Sequence, residues 1–233
     1  RHYMQKEIHE QAEAVSNTLD ERTANGKVLD AAFGPQAVDV LDNTKGIHIV
    51  ACGTSYHAGL IARYWIEDLC RIPCSVEIAS EYRYRTPAVP DNTLFATISQ
   101  SGETADTLAA LRAAKDRGYL STMTICNVPE SSLVRECELV MMTRAGQEIG
   151  VASTKAFTTQ LAALALLTIS VGRRNGLSAE DEKALVEQLN ELPDLIQQVL
   201  TLDPAIEALA GHFVDKDHAL FLGRGVQNPV AME

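Results

Sequence analysis

Residues 93–115 read TLFATISQSGETADTLAALRAAK. The first seven of these residues are mostly β-branched or apolar and predict a buried strand, whereas alanine and leucine dominate after Thr104 and predict a helix. Small polar residues fill the junction, residues 99–104. Because the first N–H groups of a helix have no partner within that helix, the junction presents donors that a capping side chain, water or an anion satisfies.

The same order of strand and helix recurs along the chain. Apolar runs predict strands at residues 46–52, 74–79, 93–99, 121–127 and 138–143. Predicted helices at 55–69 and 103–117 lie between them, which implies right-handed crossovers and a parallel sheet with helices on both faces. The strands are almost continuously apolar, as expected for strands buried on both sides. The predicted fold class is therefore α/β.

Segments on either side of the sheet predict further helices. The apolar residues of an N-terminal helical arm recur at helical spacing, namely Ile8, Ala12, Val15 and Leu19. Residues 153–173 are apolar on all sides and predict a buried helix. Residues 178–200 begin with the capping sequence SAED and predict an amphipathic helix that Pro193 kinks or divides.

The C-terminal stretch resembles the beginning of the sheet. KDHALFLGRGVQNPVAME, at residues 216–233, repeats the order of KGIHIVACGTSYHAGLIA, and Gly225 corresponds to Gly53. We expect a truncated second copy of the same kind of domain, with both chain ends set artificially. The expected division is a helical segment, a first α/β domain, a helical connection and the start of the second domain, at residues 1–43, 44–176, 177–216 and 217–233.

Composition excludes several classes of protein. The chain has 233 residues, 46% of them hydrophobic, which suffices for one large domain and part of another. A net charge of −11 excludes a surface for nucleic acid or an anionic membrane, because both need clustered lysine and arginine. Five cysteines without metal-ligand spacing favour a reducing, cytoplasmic location over a disulfide framework. No stretch resembles a signal peptide or a membrane span.

Three polar clusters follow predicted strands or begin predicted helices, at residues 52–55, 99–104 and 151–155. Capping by Ser or Thr explains any one cluster alone. Ligands of parallel α/β sheets bind outside the carboxyl ends of the strands, however, and these ends lie along one edge. The three clusters together therefore predict a binding pocket at that edge.

The middle cluster has more donors than a cap uses. It contains the hydroxyls of Ser99, Ser101 and Thr104, the amide of Gln100, and Gly102, which permits close approach of a ligand. This set suits a phosphomonoester bound without a lysine. The patterns GxxxxGK[ST] and GxGxxG are both missing, which excludes a P-loop and a dinucleotide site.

Other reactive side chains have simpler interpretations. Cys52 is a candidate nucleophile, but no histidine and aspartate accompany it, which favours a packing role. Lys155 is either an imine-forming amine or a surface charge. The carboxylates nearest the predicted edge are candidate proton-transfer bases without a fixed role, namely Glu81, Glu103 and Glu148. SEYRYR, at residues 80–85, predicts a subunit contact, and the histidines lack metal-ligand spacing.

Several motifs together resemble one family, namely ACGTSYHAG, VEIASEYRYR, ISQSGETADT, ICNVPESSLVRE and EIGVASTKAFTTQL. They are similar to the isomerase half of the bacterial glutamine–fructose-6-phosphate aminotransferases, or glucosamine-6-phosphate synthases, over essentially the whole chain. The resemblance implies a sugar isomerase (SIS) domain with a flavodoxin-like, five-stranded parallel sheet. It also implies a cytoplasmic homodimeric enzyme that makes glucosamine 6-phosphate from fructose 6-phosphate and glutamine, for amino-sugar biosynthesis, without metal or organic cofactor.

The family's binding residues transfer onto matching positions. The resemblance assigns phosphate binding to Ser55, Ser99, Gln100, Ser101 and Thr104. It assigns sugar binding to Cys52, Gly53, Thr54, Val151 and Ser153. No catalytic residue is expected in this chain, because the family's ring-opening histidine, isomerising glutamate and imine-forming lysine belong to a second SIS domain.

The resemblance also implies partners and rival functions. The second SIS domain is expected after Glu233 and a glutaminase domain before Arg1, so the chain alone is expected to be inactive. One alternative is a non-catalytic, sugar-phosphate-sensing SIS module, as in transcription regulators. A DNA-binding segment would indicate that class, and the acidic chain shows none. A purely structural dimerisation domain leaves the three polar clusters unexplained.

Overall fold

A computed structural model describes residues 2–233 and has a five-stranded parallel sheet at its centre. The strands of this sheet are β3 (Gly46–Ala51), β4 (Cys74–Ile78), β5 (Thr93–Ser99), β6 (Ser121–Cys126) and β7 (Leu139–Met142). A separate two-stranded hairpin precedes them, formed by β1 (Thr23–Ala24) and β2 (Lys27–Val28). The order β4-β3-β5-β6-β7 is that of the flavodoxin-like class, which confirms the predicted fold.

Helices connect the strands and extend beyond the sheet at both ends of the chain. They are α1 (Tyr3–His9), α2 (Gln11–Leu19), α3 (Ala37–Asn43), α4 (Gly53–Trp65), α5 (Ala79–Tyr82), α6 (Ala105–Ala114), α7 (Ser132–Glu136), α8 (Lys155–Arg174), α9 (Ala179–Leu200), α10 (Asp203–Ala210) and α11 (Gln227–Met232). A π-helical turn at Ile66–Cys70 continues α4, and 3₁₀ turns occupy Asp30–Phe33 and Gly211–Phe213.

Each face of the sheet has its own apolar core. Alternate residues of the strands, such as Ile49 and Ile98, pack with α2, α4, α8 and α9 on one face. The intervening residues, such as Val50 and Phe95, pack with α5, α6 and α7 on the other face. This arrangement confirms helices on both faces and explains why the strands are apolar almost throughout.

The N-terminal arm consists of two helices rather than one. They meet at Glu10, where the backbone remains close to helical but the ladder of hydrogen bonds is interrupted. Ala12, Val15 and Leu19 are buried as predicted, and they pack on α8 and α9. In α1 the buried side chain is that of Glu7, while Ile8 is only half-buried.

The two long helices after the sheet differ in burial. By length and composition α8 is apolar enough to cross a membrane, but 78% of its most apolar window is buried, so it serves as the central core helix. Ser178 accepts a hydrogen bond from Asp181 N at 3.0 Å and caps α9, as predicted. Pro193 does not divide α9, which continues to Leu200.

The segment after α10 has no strand in this structure. Residues 217–224 form no ladder, because a strand exists only when a neighbour supplies hydrogen-bond partners, and none within residues 2–233 does so. The predicted strand there is therefore absent. The glycine turn and the following helix are present: Gly225 has a φ of +60°, Gly53 has a φ of +53°, and α11 follows Gly225.

The segment predicted as a subunit contact is held largely by its own domain. Tyr82 is fully buried in the second core. Arg83 forms an ion pair with Asp106 at 2.7 Å, and Arg85 pairs with Glu77. Tyr84, at 80% exposure, projects from the surface.

Candidate functional site

The polar residues after β3 and β5 lie side by side. Ala51 pairs with Ile98, so Cys52 and Ser99 leave neighbouring strands, which are about 4.8 Å apart. The strand order reverses at this position, because β4 lies on one side of β3 and the later strands lie on the other. The next helices, α4 and α6, pack on opposite faces of the sheet. They leave a crevice between them, where flavodoxin-like sheets bind ligands.

The turn at residues 99–104 is held by its own hydroxyls. Ser99 Oγ accepts a hydrogen bond from Gly102 N at 3.0 Å, and Ser101 Oγ accepts one from Glu103 N at 3.2 Å. Gly102 has a φ of +68°, and a Cβ atom there would lie 2.0 Å from Ser131 Oγ. Both the backbone angle and the available space therefore require glycine.

These hydroxyls do not cap the helix that follows. Thr104 is the N-cap residue of α6, yet its side chain makes no capping hydrogen bond and lies 3.5 Å from Ser99 Oγ. Within residues 2–233 the backbone N–H groups of Ser101, Thr104 and Ala105 have no acceptor. The capping alternative therefore does not describe this turn, which leaves amides and a hydroxyl available to an anion.

The first cluster, at the start of α4, also lacks a side-chain cap. Cys52 is the N-cap residue without a capping bond, and Ser55 is buried. Thr54 Oγ1 donates to Glu233 Oε1 at 2.5 Å, and His57 Nδ1 lies 2.6 Å from Glu233 Oε2. The structure thus brings a carboxylate and a histidine beside the predicted sugar residues. The sequence offers no signal for this contact, because α11 reaches α4 only through the tertiary fold.

The third cluster lies on the loop between β7 and α8, residues 143–154. Asn127, at the end of β6, fixes the beginning of this loop through Ala145 N and the carbonyl of Gly146, each at 2.7 Å. Glu148 fixes the end of the loop, where its carboxylate accepts hydrogen bonds from Thr154 N at 2.9 Å and Ala156 N at 3.1 Å. Glu148 is thus the cap of α8.

The predicted sugar residues of this loop are placed differently from the other two clusters. Ser153 Oγ donates to Glu148 Oε2 at 3.1 Å, and the side chain of Val151 is fully exposed. Within residues 2–233 no hydrogen bond joins this loop to residues 52–55 or 99–104. The structure therefore places the first two clusters at the ends of paired strands, whereas the third lies on a loop that, within residues 2–233, is linked to Gln100 only through Asn127.

The remaining candidate side chains have structural partners. Lys155 Nζ lies 2.7 Å from Glu10 Oε2 and its side chain is only 5% exposed, so this amine is neither free nor a surface charge. Glu103 Oε1 accepts a hydrogen bond from Ser132 N at 2.7 Å, which lowers the pKa of the Glu103 carboxyl. Glu81 is exposed on α5.

Other possible binding features lie outside the crevice or are absent from the described chain. Across residues 2–233 no three His, Cys, Asp or Glu side chains are grouped to hold a metal ion, and all five cysteines are free thiols. An apolar groove of about 430 Å³ lies between α4, α8 and α9, and its lining includes Trp65 and Leu189. The lining formed by residues 2–233 is mostly apolar and contains no cationic side chain, and the hydroxyls of Thr158 and Thr168 donate to carbonyls of α8. The crevice is therefore the better candidate site for a phosphate.

The strand order and the polar crevice define a flavodoxin-like α/β domain with a candidate ligand site at its switch point. Residues 41–170 match the family model described as SIS domain, which is more than half of the chain. The chain belongs to the SIS domain family.

Similar proteins align with this chain over its full length. It is 57% identical to a glutamine–fructose-6-phosphate aminotransferase [isomerizing] from Shewanella oneidensis and 58% identical to one from Escherichia coli K12. The whole chain aligns in both cases but spans only 38% of each relative.

Solved structures agree with this placement. The C-terminal domain of glucosamine-fructose-6-phosphate aminotransferase from Francisella tularensis is 52% identical and superposes with a TM-score of 0.96, covering 99% of this chain and 65% of that one. Tagatose-6-phosphate ketose/aldose isomerase from Escherichia coli, at 18% identity, has a TM-score of 0.70 over 99% of this chain and 62% of its own, and shares the fold.

Proposed function

We propose that this chain is the sugar-phosphate-binding part of a cytoplasmic glutamine–fructose-6-phosphate aminotransferase. Its ligand would be fructose 6-phosphate or glucosamine 6-phosphate. The observation that carries the proposal is the turn at residues 99–104, whose hydroxyls and amides lie at the switch point without capping α6. The names of relatives more than half identical over the whole chain support the choice of ligand.

The proposed phosphate contacts come from two neighbouring strand ends. Ser99, Gln100, Ser101 and Thr104 would hold the phosphate, with Ser55 assisting from the start of α4. Hydrogen bonds from these groups to a charged oxygen contribute about 1.5 to 3 kcal/mol each before desolvation. Cys52, Gly53, Thr54, Val151 and Ser153 would line the sugar, the last two from the loop at residues 143–154.

The reaction itself is proposed for a longer protein that contains this domain. A glutaminase domain would supply ammonia, and a second SIS domain would supply the groups for ring opening, imine formation and proton transfer between C1 and C2. This chain covers 38% of the length of these relatives, which supports the presence of further domains in the longer protein. We propose a homodimer as the assembled form.

Exposed apolar side chains support contact with another domain. In α10 no residue is buried, and Ile206 and Leu209 are each more than half exposed. Leu220, Phe221 and Leu222 are at least 76% exposed. Large apolar side chains exposed in such number are typical of an interaction site. A second SIS domain, of which residues 217–233 would be the start, would cover it.

The proposal is tested by thermal unfolding of this chain with glucosamine 6-phosphate. A ligand at a hundred times its Kd stabilises the folded state by about 2.7 kcal/mol, which appears as a rise in Tm. Ser101→Ala should reduce this rise, whereas Ser16→Ala, at an exposed position of α2, should not. No rise with either sugar phosphate would contradict the assignment of the crevice.

A further inference from the structure

The loop at residues 143–154 has no regular secondary structure, although it carries Val151 and Ser153. Its backbone amides are not held by a helix or a sheet, so side chains determine its conformation. Asn127 holds its beginning and Glu148 its end. The middle of the loop is held from a distant part of the chain.

Glu7 of the N-terminal arm provides this middle contact. Its Oε1 atom accepts hydrogen bonds from Ile149 N at 2.6 Å and Gly150 N at 3.1 Å, and its Oε2 atom lies 3.2 Å from Gly150 N. The residue is 3% exposed, and within residues 2–233 it forms no ion pair. A buried carboxylate without a cation is unfavourable unless hydrogen bonds compensate it, so the two loop amides are what hold Glu7 in place.

Gly150 fits this carboxylate. A Cβ atom at position 150 would lie 2.5 Å from Glu7 Oε2, so any larger residue would displace the Glu7 side chain. The backbone of Gly150 has no positive φ, and its conformation alone does not require glycine. The close approach of Glu7 supplies the physical reason for a glycine directly before Val151.

Further contacts join the arm to both ends of the loop. The ion pair between Glu10 and Lys155 lies at its C-terminal end. At its N-terminal end, Thr18 Oγ1 donates to the carbonyl of Thr143, and Arg22 donates to that of Met142. The arm therefore follows the whole loop, and Glu7 is its contact nearest to Val151.

We propose that Glu7 is a positioning residue for the sugar end of the ligand. By holding the amides of Ile149 and Gly150 it sets the place of Val151 and Ser153, so the N-terminal arm determines how well the crevice binds the sugar but not the phosphate. This inference rests on the proposed function, because that function assigns Val151 and Ser153 to the sugar.

The test compares Glu7→Gln with Glu182→Gln in the whole chain. Glu182 is a control for the loss of a buried carboxylate away from the loop: it is 1% exposed, lies on α9, accepts a hydrogen bond from Val28 N at 3.2 Å and, unlike Glu7, pairs with Arg173 at 3.1 Å. Affinities for glucosamine 6-phosphate and for inorganic phosphate are measured by calorimetry. Hydrogen exchange of the amides at positions 149 and 150 is measured without ligand.

Glu7→Gln should lower the affinity for glucosamine 6-phosphate about tenfold, because the sugar contacts move. It should lower the affinity for inorganic phosphate less than about twofold, because the phosphate contacts stay in place. It should also accelerate exchange at Ile149 and Gly150. Glu182→Gln should do neither, although both variants are expected to lower Tm. Gly150→Ala should reproduce the effect of Glu7→Gln, and the double variant should be no worse than either one, because both weaken the same contact: glutamine removes the charge and places an N–H donor where Oε2 faces Gly150 N.

Three results would overturn the inference. These are unchanged sugar-phosphate affinity in Glu7→Gln, an equal loss in Glu182→Gln, and an equal loss of affinity for inorganic phosphate. If the unaltered chain binds neither sugar phosphate, the proposed function is wrong, and the inference about the sugar falls with it. Hydrogen exchange then still decides whether Glu7 holds the loop, so the two failures remain distinguishable.

Discussion

The ammonium of Lys155 lies 2.7 Å from Glu10 Oε2 and ties the first residue of α8 to the N-terminal arm. The two partners differ in exposure, at 5% for the lysine side chain and 29% for the glutamate side chain. Lys6 also contacts Glu10, at 3.1 Å. Loss of the lysine therefore leaves a carboxylate with a second cation, whereas loss of the carboxylate leaves a buried ammonium alone.

This asymmetry predicts unequal effects of two substitutions on stability. Glu10→Gln should lower the free energy of unfolding by about 2 kcal/mol, a value discounted for the partial exposure of Glu10. Lys155→Met keeps the aliphatic packing and should cost less than about 1 kcal/mol. Urea denaturation measures both. If the two variants lose the same free energy of unfolding, the Lys155 ammonium has another partner once Glu10 is replaced, and the predicted asymmetry is wrong.

The same pair predicts a dependence on pH. Hydrogen bonding to Lys155, with a contribution from Lys6, lowers the pKa of the Glu10 carboxyl. As the pH falls, the Glu10 carboxyl therefore binds a proton in the unfolded chain before it does so in the folded chain. The stabilisation by this ion pair is complete above the unfolded pKa of about 4.3 and is lost as the pH falls through the lower pKa of the folded state. The stability difference between the unaltered chain and Lys155→Met should shrink as the pH falls below 4.3. A constant difference from pH 7 to pH 3 would contradict this assignment.

Gly102 and Gly118 offer a matched pair for the candidate phosphate turn. Their φ angles are +68° and +80°, but a Cβ at 102 meets Ser131 Oγ at 2.0 Å, whereas a Cβ at 118 has nothing within 4 Å. Gly118→Ala should cost about 1 to 2 kcal/mol for the left-handed conformation alone. Gly102→Ala should cost clearly more and abolish the thermal shift with glucosamine 6-phosphate. Similar losses for the two variants would show that Ser131 and its neighbours move aside.

Thr104 and Ser178 separate capping from ligand binding. Both are N-cap residues, but only Ser178 accepts a hydrogen bond from its helix, from Asp181 N at 3.0 Å. Ser178→Ala should lower the free energy of unfolding by about 1 kcal/mol, and Thr104→Ala by less than about 0.5 kcal/mol. For the affinity for glucosamine 6-phosphate the order should reverse, with the larger loss in Thr104→Ala. A large stability loss in Thr104→Ala would restore the capping interpretation.

Local sequence predicts the central sheet because each strand carries its own signal. Buried parallel strands need unbroken apolar and β-branched residues, and the five strands agree with the apolar runs to within one residue at each end. The hydrogen bonds that the hydroxyls of the turn after Thr93–Ser99 make are equally local, since they join residues at most five positions apart. Both the fold and the middle cluster are therefore accessible from the sequence.

Features that depend on distant partners are not accessible in this way. Glu7 lies in a short helix with Gln5, Lys6 and His9, a composition typical of a solvated face, yet it binds an amide 142 positions away. Leu220, Phe221 and Leu222 carry a strand pattern, but no neighbouring strand within residues 2–233 pairs with them. Contact between Glu233 and Thr54 likewise exists only once α11 packs on α4.

The position of Cys52 makes it a built-in chemical reporter of the crevice. Burial raises the pKa of the other four thiols, those of Cys70, Cys74, Cys126 and Cys137. Cys52 is half-buried at the start of α4, beside the turn at residues 99–104. Cys137 is also partly exposed, but its raised pKa makes it a poor nucleophile at neutral pH. An alkylating reagent should therefore react first with Cys52, and the rate of that reaction should fall as a ligand occupies the crevice.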